Sequence, residues 1–309
     1  MKVTVAIPTH NRAFYLNQTL DGLMLQDYEN SQIEILVIDN NCTDNTKAVV
    51  EAYNNSKILV RYIKETRQGL DHARNCAVEA STGDIIIFGD DDILVNPNWV
   101  STMTAAFLAD SENKIGAVGG EVIPVFPEGL PEWIKEWHAP LGFRKELGPL
   151  KPKDCPMGAN LAFRKSVFAS LGLFSTALDR SAGNYFSGGD SEMIRRVRSA
   201  GLEVWFSPDG AVKHQMPASR TTYKYASKHA FDSARSRVID RSNQPGKMTY
   251  LITRLLANIL KVILLGLVGI LGLIFFRLGT AKKYWVRSWR SCGYVYQACR
   301  CLLGLKHTP

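Results

Sequence analysis

Apolar positions along the first ninety residues switch repeatedly between strand-like and helix-like spacing. Val3-Thr4-Val5-Ala6-Ile7-Pro8 is a β-branched run stopped by proline, and Asn11 to Gln26 then carries Leu16, Leu20, Leu23 and Met24 at helical spacing. Ile33-Glu34-Ile35-Leu36-Val37-Ile38 predicts a second strand ending at Asp39-Asn40-Asn41, and Thr43 to Tyr53 a second helix capped by Thr43 or Asp44. Ile58 to Ile63 predicts a third strand and Gly69 to Ser81 a third helix. Asp84-Ile85-Ile86-Ile87-Phe88 predicts a fourth strand that runs into Gly89-Asp90-Asp91-Asp92. This alternation predicts an α/β fold, a mainly parallel sheet with helices on both faces. Open sheets of this kind bind ligands at the carboxyl ends of their strands, where two of these four carry acidic residues.

From Gly116 to Gly210 the pattern is less regular. Short strands are predicted near Ala117 to Val125 and Val204 to Ser207, helices near Lys165 to Leu171 and Glu192 to Ala200, and a Pro/Trp-rich loop from Pro124 to Pro156. Acceptor contacts are expected from this half. Ser219 to Ile239 predicts a surface helix rich in Lys and Arg, and Gly246 closes the globular part. The expected division is a catalytic domain over 1–245, with 1–115 binding the donor and 116–245 the acceptor, and a tail over 246–309. In that tail Leu255 to Phe276 is long enough to cross a bilayer, with Lys261 as its only charge. Basic residues on both flanks leave a tilted, re-entrant or interfacial helix open too. The run Lys282 to Arg290, with Tyr284, Trp285 and Trp289, suits anionic membrane lipids.

Charge changes the picture once it is divided along the chain. The 309 residues carry a net +8, but 246–309 hold 10 Lys and Arg and no Asp or Glu, leaving 27 basic against 29 acidic residues in the first 245. A near-neutral globular part gives no basic groove for phosphates, so nucleic acid is not an expected partner. Six cysteines show no C-x-x-C pair and no zinc-finger histidines, which fits a reducing compartment. The chain enters a strand pattern at once, so no signal peptide is expected, and the sequons at Asn17, Asn41 and Asn54 are read as chance. No G-x-G-x-x-G and no G-x-x-x-x-G-K-[ST] occurs, against dinucleotide and P-loop chemistry.

Three carboxylates on one loop after a buried strand repel one another unless they share a cation, and a hard divalent ion relieves that repulsion. Such an ion can bridge a diphosphate and neutralise charge on a departing nucleotide. A solvated acidic turn is the alternative.

The ordered motifs Val5-Ala6-Ile7-Pro8-Thr9-His10-Asn11-Arg12, Val37-Ile38-Asp39-Asn40-Asn41-Cys42-Thr43-Asp44, Gly69-Leu70-Asp71-His72-Ala73-Arg74-Asn75 and Phe88-Gly89-Asp90-Asp91-Asp92 resemble the nucleotide-binding half of the family 2 glycosyltransferases. Gly188-Gly189-Asp190-Ser191-Glu192 and His214 extend the resemblance to about residue 215. The resemblance implies a Rossmann-like GT-A fold, inversion at the transferred sugar, and a nucleotide-sugar donor, with a UDP-sugar foremost. By it, Thr9 and Asp39 line the nucleoside pocket and Arg74 lies near base or diphosphate. Asp90 and Asp92 form the D-x-D pair, with Asp91 between them in the donor site. Asp92 is then the direct ligand of Mn2+ or Mg2+, and Asp90 holds the ribose or a metal-bound water.

Asp190 is the candidate general base, because inversion needs a carboxylate to take the acceptor hydroxyl's proton on the face opposite the leaving nucleotide. Glu192 competes for that role, and Gly189 stands where the family carries an acidic residue. His214 is a candidate metal ligand or diphosphate contact. Gly158-Ala159-Asn160 offers small residues for sugar approach, and Trp133 and Trp137 a stacking surface. Structural alternatives stay open: Asp39 or Asp190 as helix caps, Arg74 as a surface residue, His214 and the tryptophans as packing. A sugar nucleotidyltransferase would open with a Gly-rich loop, which Pro8-Thr9-His10-Asn11-Arg12 is not. A processive synthase would carry Q-x-x-R-W and several spans. The expected activity is therefore single sugar additions to a glycan or lipid-linked acceptor at the cytoplasmic membrane face. The alternative is an inactive scaffold of the same fold.

Overall fold

The computed structural model describes residues 1–137, 140–180, 184–242 and 244–305. Residues Met1–Val125, Pro140–Thr176 and Gly189–Gln215 form one compact unit, and Phe126–Ala139, Ala177–Gly188 and Met216–Pro309 a second.

In the first unit the elements run β1 (Val3–Thr9), α1 (Ala13–Leu23), β2 (Ile33–Asp39), α2 (Thr46–Glu51), β3 (Leu59–Lys64), α3 (Leu70–Ala80), β4 (Ile85–Gly89), β5 (Ile93–Val95) and α4 (Trp99–Ala109). They continue with β6 (Ile115–Val125), β7 (Gly148–Pro149), β8 (Asn160–Arg164), α5 (Lys165–Leu171), α6 (Gly189–Ser199) and β9 (Glu203–Gln215). One sheet takes the order β3-β2-β1-β4-β8-β6-β9-β5, with β7 on β9. β3, β2, β1 and β4 are mutually parallel, and the sheet turns antiparallel where β8 joins β4 and β6.

Every residue of β1, β2 and β4 is buried, as the continuous apolar runs require of strands covered on both faces. Side-chain alternation splits the core into two layers. Val3, Val5 and Ile7 join Leu16, Leu20 and Leu23 of α1 and Trp99, Met103 and Phe107 of α4 on one side. Ala6 joins Ala73 and Ala77 of α3, Phe168 of α5 and Ile194 of α6 on the other.

The helix predicted over Thr43 to Tyr53 is shorter, Thr46–Glu51. The Asp44 carboxylate accepts from Thr46 N and Oγ1 and from Ala13 N, so residues 43–45 form a turn that ties α2 to the start of α1. The strand expected near Val204 to Ser207 is part of a longer one, β9.

Glu34 sits buried near the amino ends of the parallel strands. Its Oε1 accepts from Thr4 Oγ1 at 2.7 Å and from Thr82 N and Oγ1 at 2.6 and 2.8 Å, and its Oε2 from Arg61 at 3.0 Å. Burial raises its pKa, but these donors outweigh burial and leave it below the ordinary 4.5.

The second unit contains α7 (Tyr223–Ser242), α8 (Lys247–Ile274) and α9 (Leu278–Leu302). The helix predicted from Ser219 begins at Tyr223, after a 3-10 turn over Ala218–Thr221, and buries Ala234 and Val238 rather than lying wholly on the surface. α9 runs antiparallel along α8. Leu251 clusters with Tyr294 and Ala298, Ser288 donates to the Val262 carbonyl at 3.2 Å, and Gly272 meets Ala281. Gly269 admits the Trp285 indole where any Cβ would collide with it.

Glu34→Gln is expected to cost about 2 kcal/mol at pH 7 in chemical denaturation, since a carboxylate accepting four hydrogen bonds is lost. A carboxyl with a lowered folded pKa stabilises above its unfolded pKa and loses that contribution as pH falls through the folded value. The gap between wild type and variant should therefore close below about pH 4. An equal gap at pH 3 and pH 7 would mean the charge is not the cause.

Candidate active site

The parallel strands deliver their acidic carboxyl ends to one edge. Asp39 closes β2, and Asp90, Asp91 and Asp92 follow β4. β9 reaches the same edge through its antiparallel pairing with β5, which places His214 opposite Ile93 and lets Gln215 N donate to the Asp92 carbonyl at 2.9 Å.

The three carboxylates face different ways. Asp91, buried, accepts from Thr9 Oγ1 at 2.8 Å and pairs with Arg12 at 2.9 Å. Asp92, fully buried, meets the other Arg12 nitrogen at 2.6 Å through Oδ2 and His214 Nε2 at 2.8 Å through Oδ1. Asp90 is a third exposed and lies 3.5 Å from the same His214 nitrogen. Arg12 is a site residue to which sequence reasoning assigned no role. Its position in the turn after β1, opposite an acidic triplet, was the available signal.

Protonation follows from these contacts. Burial pushes Asp91 up to about 7 although Arg12 draws it down. Burial also opposes the Asp92 charge, but the His214 hydrogen bond and the His214 and Arg12 charges overcome it and lower that pKa. Burial favours neutral His214, yet Asp90 and Asp92 raise it to about 9. Donor atoms of Asp90, Asp92 and His214 all lie within 4.8 Å of one another. Two carboxylate oxygens and an imidazole nitrogen at that separation could hold one divalent ion after a small closing movement, because ligands held at about 2.1 Å from an ion stand roughly 3–4 Å apart.

A second cluster forms around Arg74 on α3. Its guanidinium, buried, pairs with Asp190 Oδ1 at 2.6 Å and Asp71 Oδ1 at 3.0 Å, and lies 5.6 Å over the Phe174 ring. Burial works against its charge, and Asp190, Asp71 and Asp90 outweigh it, so Arg74 links the two clusters electrostatically. It is not a surface residue. Asp190 is the second residue of α6, and its Oδ2 accepts from Gly158 N at 3.0 Å. Each of its oxygens keeps a lone pair, and its side chain is 26% exposed. A Cβ at Gly158 would run into the Asp190 carboxylate, and one at Gly189 into that of Asp71. Asp71 thus occupies the space beside Gly189.

The remaining candidates are engaged by contacts of their own. Glu192 pairs with Arg196 at 2.8 Å one helical turn on. Asp39 accepts from Cys42 N at 2.7 Å and Tyr62 Oη at 2.6 Å, bracing its own loop rather than capping α2. Asn160 is buried, accepting from Trp99 Nε1 and donating to the Glu121 and Gly210 carbonyls, so it joins strands instead of facing a sugar. Trp133 packs by Tyr223 and under Lys282 within the second unit. The Trp137 side chain lies outside the described residues.

Residues 4–172 match the family model described as glycosyl transferase family 2. The chain belongs to glycosyl transferase family 2. This transferase is 24% identical over 231 residues to the glucosyl-dolichyl phosphate glucuronosyltransferase of Haloferax volcanii, covering 73% of this chain and 72% of that one. It is 29% identical over 211 residues to glycosyltransferase AglE of the same organism, covering 67% and 64%. Its fold resembles the mannosyltransferase of Pyrobaculum calidifontis in complex with GDP-mannose and Mn2+, with a TM-score of 0.60 at 20% identity over 99% of this chain and 88% of that one. The architecture is the Rossmann-like GT-A fold, and the activity is glycosyl transfer from a nucleotide-sugar donor.

Gly158→Ala forces the carboxylate of Asp190, the expected base, to move, and displacing a group that acts in the reaction costs rate more than binding. Turnover of the folded variant should fall about tenfold or more with the donor KM little changed. Full turnover with an unshifted melting temperature would show that the position of Asp190 does not matter.

Proposed function

We propose that this transferase is inverting and metal-dependent, and that it passes a sugar to a hydroxyl of a glycan or lipid-linked acceptor at the cytoplasmic face of a membrane. The observation that carries the reading is the joining of two groups through Arg74. Asp90, Asp92 and His214 can hold one ion, and a partly exposed carboxylate, Asp190, is fixed on Arg74, whose charge the Asp90 carboxylate also favours. Mn2+ or Mg2+ there would neutralise charge developing on the leaving diphosphate. The presence of Mn2+ with the Pyrobaculum enzyme supports the same choice.

The protein's own groups have separable tasks in this account. Arg12 and Thr9 hold Asp91 and Asp92 in place, and Asp39 braces the loop that faces the nucleoside. Arg74 and Gly158 aim Asp190, whose remaining lone pairs can take the proton of the acceptor hydroxyl. Residues 1–245 carry catalysis in this division and 246–309 carry attachment.

Attachment rests on α8, which spans about 42 Å at 1.5 Å per residue and has only 17% of its most apolar window buried. Leu256, Leu260, Ile263, Leu264, Leu267 and Leu271 are exposed along it. If α8 crossed the bilayer, Arg287 and Arg290 of α9 would lie opposite its middle, where each costs roughly 3 kcal/mol. The reading is therefore an α8–α9 hairpin lying in the interface, its apolar face among the acyl chains and its basic residues among headgroups. The name of the dolichyl-phosphate relative supports a lipid-linked acceptor.

Two measurements test this. Across UDP-, GDP- and dTDP-sugars, one donor should release nucleotide only with Mn2+, and Asp190→Asn should slow release about a hundredfold without changing donor Kd. Release that survives EDTA would remove the metal from the account, and an unaffected variant would remove the base. Leu260→Glu combined with Leu264→Glu should abolish sedimentation with phosphatidylglycerol vesicles. If the double variant still sediments, attachment lies elsewhere.

A further inference from the structure

Between β7 and β8, residues 151–158 carry no helix or strand, yet they are tied to α6 at three points. Arg198 donates through Nη1 to the Pro152 carbonyl at 2.8 Å and through Nη2 to the Lys151 and Asp154 carbonyls at 3.1 and 2.7 Å. Cys155 Sγ and Ser191 Oγ lie 3.5 Å apart in hydrogen-bond contact, and Gly158 N donates to Asp190 Oδ2 at 3.0 Å. As the segment advances from 151 to 158, its partners on α6 step back from 198 through 191 to 190. It therefore lies antiparallel along the helix as a strap. Arg198 holds one end and Asp190 receives the other, about 12 Å apart along the helix axis. Ser191 and Arg198, seven residues apart, share the face that the strap crosses.

A segment outside any ladder must find partners elsewhere for its main-chain groups. One guanidinium supplies three of them here, because its planar fork presents several N–H groups at fixed angles. The side chains of Lys151, Pro152 and Lys153 are exposed, so packing does not fix this end of the strap. Further along, Pro156 is buried against Gly119 of β6, where a Cβ would run into its ring.

The two oxygens of Asp190 are thus held in different ways. Oδ1 meets Arg74, a buried side chain of α3, whereas Oδ2 meets a main-chain N–H whose place depends on what holds the strap. We propose that Arg198 is a positioning residue for glycosyl transfer: by holding the carbonyls of Lys151, Pro152 and Asp154 it keeps Gly158 N on Asp190 and so aims that carboxylate's remaining lone pairs. The proposal rests on the reading of Asp190 as the base and adds the device that orients it.

The test compares Arg198→Gln, Arg164→Gln and Asp190→Asn with the wild type, full chain in each case. Two quantities are read: Mn2+-dependent hydrolysis of whichever UDP-, GDP- or dTDP-sugar the wild type turns over, and the rate at which iodoacetamide alkylates Cys155, followed by peptide mass spectrometry. Arg164 donates to the Phe107, Asp110 and Ile115 carbonyls and controls for the loss of an arginine that ties main chain elsewhere. Arg198→Gln should lower kcat about tenfold with donor KM within about twofold, and should speed Cys155 alkylation about fivefold as the strap loosens. Arg164→Gln should leave both unchanged. Wild-type kcat in folded Arg198→Gln would overturn the positioning role, and so would an equal loss in Arg164→Gln, which would mean a general effect of stability. If Arg198→Gln does not fold, Arg198→Lys carries the test: it keeps the charge without the fork, and kcat should fall about threefold at unchanged KM. Asp190→Asn separates the two readings. If it is slow while Arg198→Gln is not, only the strap's role falls; if it turns over like the wild type, the base reading falls and the positioning role with it.

Discussion

Carboxylates brought together at the end of a buried sheet repel one another, and the cations set between them are what the rest of the site depends on. Arg12 reaches Asp91 with one nitrogen and Asp92 with another, His214 stands between Asp92 and Asp90, and Arg74 joins Asp71 to Asp190. Each carboxylate is thereby charge-compensated, Asp71, Asp91 and Asp92 in full burial, while Asp90 and Asp190 stay partly exposed. Removing one member of a buried pair strands the other charge, typically at several kcal/mol, so these contacts fix geometry as well as charge. The same compensation suits a divalent ion, which would add positive charge where Asp90, Asp92 and His214 already converge.

Much of this was legible in the chain. Continuous apolar runs in β1, β2 and β4 report burial on both faces, and an acidic end on such a strand marks a ligand edge whatever the remaining topology. Asp92 and His214 meet at 2.8 Å, although 121 positions separate them along the chain. The pairing of β5 with β9 that closes this distance has no local signal, since β5 is three residues long. Arg12 was hidden for the same reason: its partners lie some eighty residues away.

Two misjudged details have local causes. Asp44 competes for the backbone of Thr46 and Ala13, which trims α2, a preference that Asp brings to any helix start. Glu192 and Arg196 stand four apart on one helix, the spacing of a surface ion pair, and that spacing could have removed Glu192 from the base candidates. Gly189, a departure from the family pattern, has a physical reason once Asp71 is placed: a side chain there would collide with the carboxylate that helps hold Arg74.

If Asp90, Asp92 and His214 hold one ion, the imidazole nitrogen of His214 is bound to it. Pulsed electron paramagnetic resonance on the full chain with one equivalent of Mn2+ tests it most directly, because an imidazole nitrogen bound to Mn2+ modulates the spin echo. Nitrogen modulation is expected in the wild type and should disappear in His214→Ala. Mn2+ bound without nitrogen coupling, or coupling that survives the substitution, would contradict it.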